Sequence, residues 1–172
     1  MIDIRRAEHP SELHDVRSLM RAFVEWGRAL TPMDREKVDL YFDAAAFEQE
    51  LAGLPGKYGA PAGCLLIASY DERAAGCVAF RKFDDAFCEM KRMFVSPDFH
   101  GLGIGRALAQ RGVAEASSAG YRGMRLDTSR NQHAAMGLYE SIGFKRIPAY
   151  YAIPDDFKDW LVFFELKFER SR

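Results

Sequence analysis

No stretch of this 172-residue sequence is apolar over the length a bilayer demands, and its start, Met1-Ile2-Asp3-Ile4-Arg5-Arg6, lacks the long apolar run of a secretory leader. The expected location is therefore cytoplasmic, with no membrane partner. Charge of one sign is missing as well: 24 Lys and Arg stand against 25 Asp and Glu, interspersed along the chain. That balance gives no long-range attraction to nucleic acid or to an anionic surface. Cysteines are few and odd in number. Cys64, Cys77 and Cys88 show no C-x-x-C spacing, and each sits in an apolar, strand-like segment. This excludes a disulfide framework, offers no metal site and leaves buried thiols. Internal repeats and low-complexity segments are absent. What remains is a globular composition, 48% apolar, in a length that fits a single domain over residues 1–172, as a monomer or homodimer.

Ile2 to Arg6 reads as a short strand, and His9-Pro10-Ser11-Glu12 opens a helix whose apolar face is Leu13, Val16, Met20, Phe23 and Leu30. After Thr31-Pro32 the pattern blurs through Asp39. Ala44, Phe47, Leu51 and Leu54 then recur at helical spacing until Pro55-Gly56 stops them. Beyond the loop at 57–63 come three apolar runs, 64–70, 74–82 and 87–95, joined by turns short enough to make them antiparallel neighbours. A helix over 103–119, a strand over 124–127, a helix over 132–142 and strands at 144–147 and 160–168 follow. In the last strand Trp160, Val162, Phe164, Leu166 and Phe168 alternate onto one side.

The segment His100-Gly101-Leu102-Gly103-Ile104-Gly105-Arg106 lies between a strand and a helix. Glycines there let backbone N–H groups at a helix N-terminus approach a phosphate that side chains would keep away. A dinucleotide site would use the same device, with Asp127 as the ribose acid, but Arg106 occupies the third glycine position of G-x-G-x-x-G. Pro97 also separates strand from loop, and too little chain follows to complete a doubly wound sheet. A turn without a ligand explains the glycines poorly, because three within five residues cost up to about 1 kcal/mol each where the backbone is helical.

The run from Glu89 through Leu108 resembles motif A of the GNAT N-acetyltransferase superfamily, with His100, Gly103 and Gly105 at its loop positions. Asn131 through Phe144, with Asn131, Tyr139 and Gly143-Phe144, is similar to motif B. The resemblance is specific from about 63 to 147. It implies the acyl-CoA N-acyltransferase fold, an α/β architecture with a mixed, mostly antiparallel central sheet flanked by helices. It also implies acetyl-CoA as acyl donor, with no metal. The strand segment Met93-Phe94-Val95 would meet the pantetheine arm, the loop from His100 to Arg106 the diphosphate, and Asn131 and Tyr139 would face the cofactor, the tyrosine near its sulfur. His100 departs from the Arg or Gln of the family pattern. A neutral imidazole has one donor and no fixed charge, and Arg106 is the nearest compensation.

Acyl transfer from a thioester to a primary amine requires a neutral amine, a stabilised oxyanion and a proton for the thiolate. Glu89 is the candidate base, a carboxylate in an otherwise apolar strand that by alternation shares a face with Lys91, Met93 and Val95. An ion-pair cluster of Glu89, Lys91 and Arg92 explains the same residues equally well. Tyr139 is the candidate acid; a core tyrosine with a satisfied hydroxyl is the alternative. The oxyanion donor falls on a backbone N–H near Phe94 or Val95. Cys88 has no local signature of a nucleophile, and His133 near a helix start reads as a surface residue. The acceptor, a small molecule, amino acid or peptide, is expected between the first two helices and the loop 148–156, where Tyr150 and Tyr151 either wall the site or merely pack. Attack would occur directly in a ternary complex. A non-catalytic acyl-CoA-binding regulatory domain is the rival reading.

Overall fold

The computed structural model describes residues 1–169; residues 170–172, counted into the expected domain, lie outside that range. The chain runs β1 (Ile2–Arg6), α1 (Pro10–Arg28), α2 (Pro32–Tyr41), α3 (Ala44–Ala52), β2 (Cys64–Tyr70), β3 (Arg73–Lys82) and β4 (Phe87–Val95). It continues through α4 (Ile104–Ser118), β5 (Gly123–Ser129), α5 (His133–Ile142), β6 (Lys145–Ile147) and β7 (Leu161–Lys167). The start of α1 is fixed by Pro10 in its first turn and by Glu12, whose Oε2 accepts from the amides of His9 at 3.1 Å and Glu8 at 3.0 Å. The helix ends at Arg28, so Leu30, expected on its apolar face, lies just beyond it. Helix α2 falls where the sequence pattern blurs. It is set by its cap, Thr31 Oγ1 accepting from the Asp34 amide at 3.0 Å, and buries only Asp34 and Val38, too narrow a stripe to show as periodicity.

Seven strands form one sheet in the order β1-β2-β3-β4-β5-β7-β6, antiparallel except where β4 meets β5. The β2–β3 turn places Asp71 and Glu72 at φ 47° and 67°, the left-handed pair of a two-residue hairpin that matches strand twist. On one face, Leu66, Val78, Phe80 and Met90 pack with Leu108 of α4 and Tyr139 of α5; on the other, Leu65, Ile67 and Phe94 pack with Val16 and Met20 of α1 and Leu51 of α3. Trp160 departs from the alternation expected of it. It precedes β7, joins Val38, Leu161 and Phe163 in a third cluster, and donates from Nε1 to Asp34 at 2.7 Å. Cys64, Cys77 and Cys88 are buried free thiols, and burial pushes Cys77 and Cys88 up to about 12.

Two irregularities build the site. Strands β4 and β5 pair only from Phe87 opposite Gly123 to Glu89 opposite Arg125, although β4 continues to Val95 and β5 to Ser129. Each then follows its outer neighbour, β3 or β7, and a wedge opens between them. The second is a bulge in β4 at Arg92, φ 58°, where the register with β3 shifts between Cys77 and Ala79. The bulge inverts the alternation: Phe94 joins the α1 side, and Met93 and Val95 join Cys88 and Met90 on the α4 side. Glu89 and Lys91 therefore do not share a face with Met93 and Val95, as strict alternation requires. Gly76 permits the bulged strand to come close, since a Cβ there would stand 2.6 Å from the Phe94 carbonyl oxygen.

Candidate active site

The residues after β4 form a short turn, Pro97–Phe99, and then the loop that enters α4. Gly101 and Gly103 both have φ 80°; Gly103 is the N-cap of α4, with no side chain bonded across it and no atom within 4 Å of where a Cβ would stand. The Ala107 amide is the first in the helix to find a carbonyl, Gly103, so the six amides from Gly101 through Arg106 have no backbone acceptor among the described residues. Six unpaired donors at a helix N-terminus form a cradle for an anion. Two loop side chains turn away from it. His100 Nε2 lies 2.9 Å from the Val95 carbonyl, and Arg106 donates to Ser141 on α5 at 2.9 Å. His100 thus ties the loop back to the end of β4, where an arginine or glutamine would be sought as a phosphate donor. Gly105 is packed beneath, its Cβ direction 3.4 Å from Leu138 and 3.7 Å from Met93.

The wedge leads from this loop into a cleft with about 710 Å³ of empty space, mouth included. Its walls are Met90 to Met93 on one side and Leu126 to Ser129 on the other, closed by Phe23 and Val24 of α1, Tyr41 of α2, Tyr139 of α5 and Trp160. Tyr139 is buried at 5% exposure between Phe144 and Phe164, yet its hydroxyl has no partner among the described residues and is not sealed off. Burial raises its pKa above the ordinary tyrosine value, and Asp127 adds to that. Phe94, beyond the bulge, faces the opposite core, so only the Met93 and Val95 side chains border the α4 side.

Glu89 is placed differently from expectation. At 1% exposure it does not line the cleft; Arg81 Nε donates to Oε1 at 3.0 Å, Lys91 Nζ stands 3.5 Å from Oε1, and the Tyr150 hydroxyl donates to Oε2 at 2.5 Å. The ion-pair cluster is what the geometry builds, although Arg92 takes no part in it. Asn131 is also drawn elsewhere: its side-chain nitrogen donates to Asp34 at 2.9 Å, which joins the start of α5 to α2. Tyr150 and Tyr151 come from the β6–β7 loop, and both hydroxyls bind carboxylates.

Two carboxylates line the cleft: Asp34, whose oxygens are taken by Thr31, Asn131 and Trp160, and Asp127. Asp127 is the one set among polar groups of the opposite walls. It accepts from Tyr151 OH at 2.7 Å, from Tyr41 OH at 3.2 Å and from Lys91 Nζ at 3.3 Å. Burial opposes the charge on Lys91, but Asp127, Tyr41 and Glu89 outweigh it and hold the lysine above its ordinary value. Asp127 enters the sequence reading only as a rejected ribose acid, because its partners on α2 and the β6–β7 loop lie far away in the chain. Ser129, two residues on, has a buried hydroxyl with no partner among the described residues. Among those residues no helix is long and apolar enough to cross a membrane, and no group of three His, Cys, Asp or Glu is arranged to hold a metal.

One mostly antiparallel seven-stranded sheet flanked by helices, with β4 and β5 as its parallel pair, is the acyl-CoA N-acyltransferase fold. Residues 23–144 match the acetyltransferase (GNAT) family. An uncharacterized N-acetyltransferase of Schizosaccharomyces pombe is 35% identical, with 89% of this chain and 88% of that protein aligned. The N-acetylaspartate synthetase of Danio rerio is 32% identical over 79% of this chain and 50% of its own length. The PaiA N-acetyltransferase of Thermoplasma acidophilum, solved in complex with coenzyme A, superposes with a TM-score of 0.73 at 17% identity, covering 98% of this chain and 99% of that one. The chain belongs to the GNAT family and is an acyltransferase.

Proposed function

We propose that this protein transfers the acetyl group of acetyl-CoA to a primary amine by direct attack in a ternary complex. The observation that carries the reading is the row of unpaired amides from Gly101 to Arg106 beside a strand wedge that opens onto Tyr139 and Asp127. The diphosphate lies on those amides, and the pantetheine arm runs along the free edge of β4 at Met93-Phe94-Val95, with Leu102 and Ile104 flanking the loop. A backbone N–H near Phe94 or Val95 faces the oxyanion. The thioester then sits in the wedge. An acceptor amine, protonated in water at a pKa of about 10.4 if it resembles a lysine, gives up its proton before attack. Asp127 is the carboxylate placed to take it, and Glu89 acts one step removed by fixing Lys91 and Tyr150. As the tetrahedral intermediate collapses, the Tyr139 hydroxyl donates to the departing sulfur. Asn131 supports this side of the site through Asp34.

Free thiol release from acetyl-CoA across a panel of amines tests the reading. The expected result is release that depends on both protein and acceptor, with one acetylated amine formed per thiol. Tight acetyl-CoA binding without acceptor-dependent release would instead favour a regulatory acyl-CoA-binding domain. A second measurement addresses the loop. Gly103→Val is expected to weaken acetyl-CoA on the order of 10-fold by disordering the helix N-terminus, and to cost about 1–2 kcal/mol of stability through its left-handed backbone. Calorimetric binding beside a thermal melt separates the two effects.

A further inference from the structure

A second, open hollow, with about 1010 Å³ of empty space including the solvent at its mouth, lies beside the cleft between α3, the turn at Gly56 and the bulge of β4. The two cavities share Tyr41, Phe42 and Arg92 as a common wall. The left-handed backbone of Arg92 places its guanidinium over Phe42, 4.8 Å from the ring centre, and near Phe47 at 5.7 Å. Nε and Nη2 bind the two oxygens of Glu50 at 2.9 and 3.1 Å. Glu50 Oε1 also meets Lys57 Nζ at 2.8 Å and accepts from the Tyr58 hydroxyl at 3.1 Å. Two cations thus share one carboxylate whose oxygens are already engaged. Burial opposes the charge on Glu50, but Arg92 and Lys57 prevail and hold it below the usual carboxylate range, so the triad carries an excess positive charge. Asp43, at the rim, is used by the Ala46 amide at 2.8 Å as the cap of α3. Arg92 Nη1 has no partner among the described residues and is not sealed off.

A guanidinium with its stem fixed, one edge neutralised and the other edge open is suited to a second carboxylate. A cationic group would find no free oxygen on Glu50. Arg92 and Asp127 both line the cleft, and Lys91, the residue before Arg92 on β4, contacts Asp127 at 3.3 Å. We infer that the acceptor is an amine bearing a carboxylate a few bonds from its nitrogen, an amino acid in chemical class, and that Arg92 selects it by binding that carboxylate while the amine reaches the cleft at Asp127. This rests on the proposed acetyl transfer.

Paired acceptors test it on the full chain: α-amino acids, the amines left when their carboxyl groups are removed, and short peptides whose carboxylate lies far from the free amine. The expected kcat/KM favours the free amino acid over its decarboxylated partner and over the peptide on the order of 100-fold, mostly through KM. Arg92→Gln should bring those ratios below about fivefold while leaving the Kd for acetyl-CoA unchanged. Equal turnover within the pairs, preference for the peptide, or ratios that survive Arg92→Gln would overturn the inference. Loss of Glu50's partner threatens folding of that variant; if it does not fold, the wild-type ratios decide alone. Acetyl-CoA binding with no amine acetylated would remove the transfer reading itself, and this inference with it.

Discussion

Replacing Tyr139 with phenylalanine is expected to lower kcat by about 10²- to 10⁴-fold while the Kd for acetyl-CoA stays the same. The ring is held between Phe144, at 5.7 Å, and Phe164, at 6.2 Å, and phenylalanine keeps both contacts. The hydroxyl has no protein partner among the described residues, so removing it strands no buried group and leaves stability nearly unaltered. What the proposed mechanism loses is the proton for the leaving thiolate. The pH profile supplies an independent sign. Burial and Asp127 both push Tyr139 above its ordinary value, so the phenol remains protonated throughout the alkaline assay range. The wild-type rate should therefore climb as the acceptor amine becomes neutral and show no descending limb below about pH 10. A descending limb near pH 8 that disappears in Tyr139→Phe would mean the phenol ionises far lower than its surroundings dictate.

The position of Tyr139 at the cleft was legible in the sequence because its surroundings are local: a helix of ten residues that buries Met136 and Tyr139 on one stripe, and a glycine that ends the helix with φ 113°. The glycine loop was legible for the same reason, since N–H groups freed at a helix start depend on the few residues around them. The three antiparallel strands β2 to β4 follow from short turns. Features that depend on distant chain were hidden. Arg92 gives no hint of a bulge, because arginine is no turn residue; the close approach of Gly76 on β3 is what accommodates it. With the bulge unseen, alternation carried Met93 and Val95 to the wrong face. Helix α2 lacked a readable stripe, and without it Tyr41 had no place beside Asp127. Asn131 shows the converse: a residue quoted in a motif that the fold bonds to Asp34, 97 positions away.

Asp127→Asn is expected to lower kcat/KM on the order of 10³-fold, and the contrast with Glu89→Gln gives that number its meaning. Asparagine is nearly isosteric and can still accept from Tyr151 and Tyr41, so the cleft keeps its shape; it cannot take a proton from an ammonium. Lys91 retains Glu89 at 3.5 Å, and the Kd for acetyl-CoA, whose diphosphate the proposal places on the amides before α4, should not move. Glu89 is the opposite case. Its carboxylate faces Arg81, Lys91 and Tyr150 and does not line the cleft, so neutralising it removes counter-charge from two cations at once. Glu89→Gln should cost about 3 kcal/mol of stability, while kcat, measured well below the melting temperature, falls less than about tenfold because Asp127 is intact. The reverse pattern, a silent Asp127→Asn and a stable but inactive Glu89→Gln, would return the base to β4 and require the acceptor proton to travel through Lys91 or Tyr150. Measuring both variants for melting temperature, acetyl-CoA affinity and kcat separates a carboxylate that meets the amine from one that only holds its neighbours.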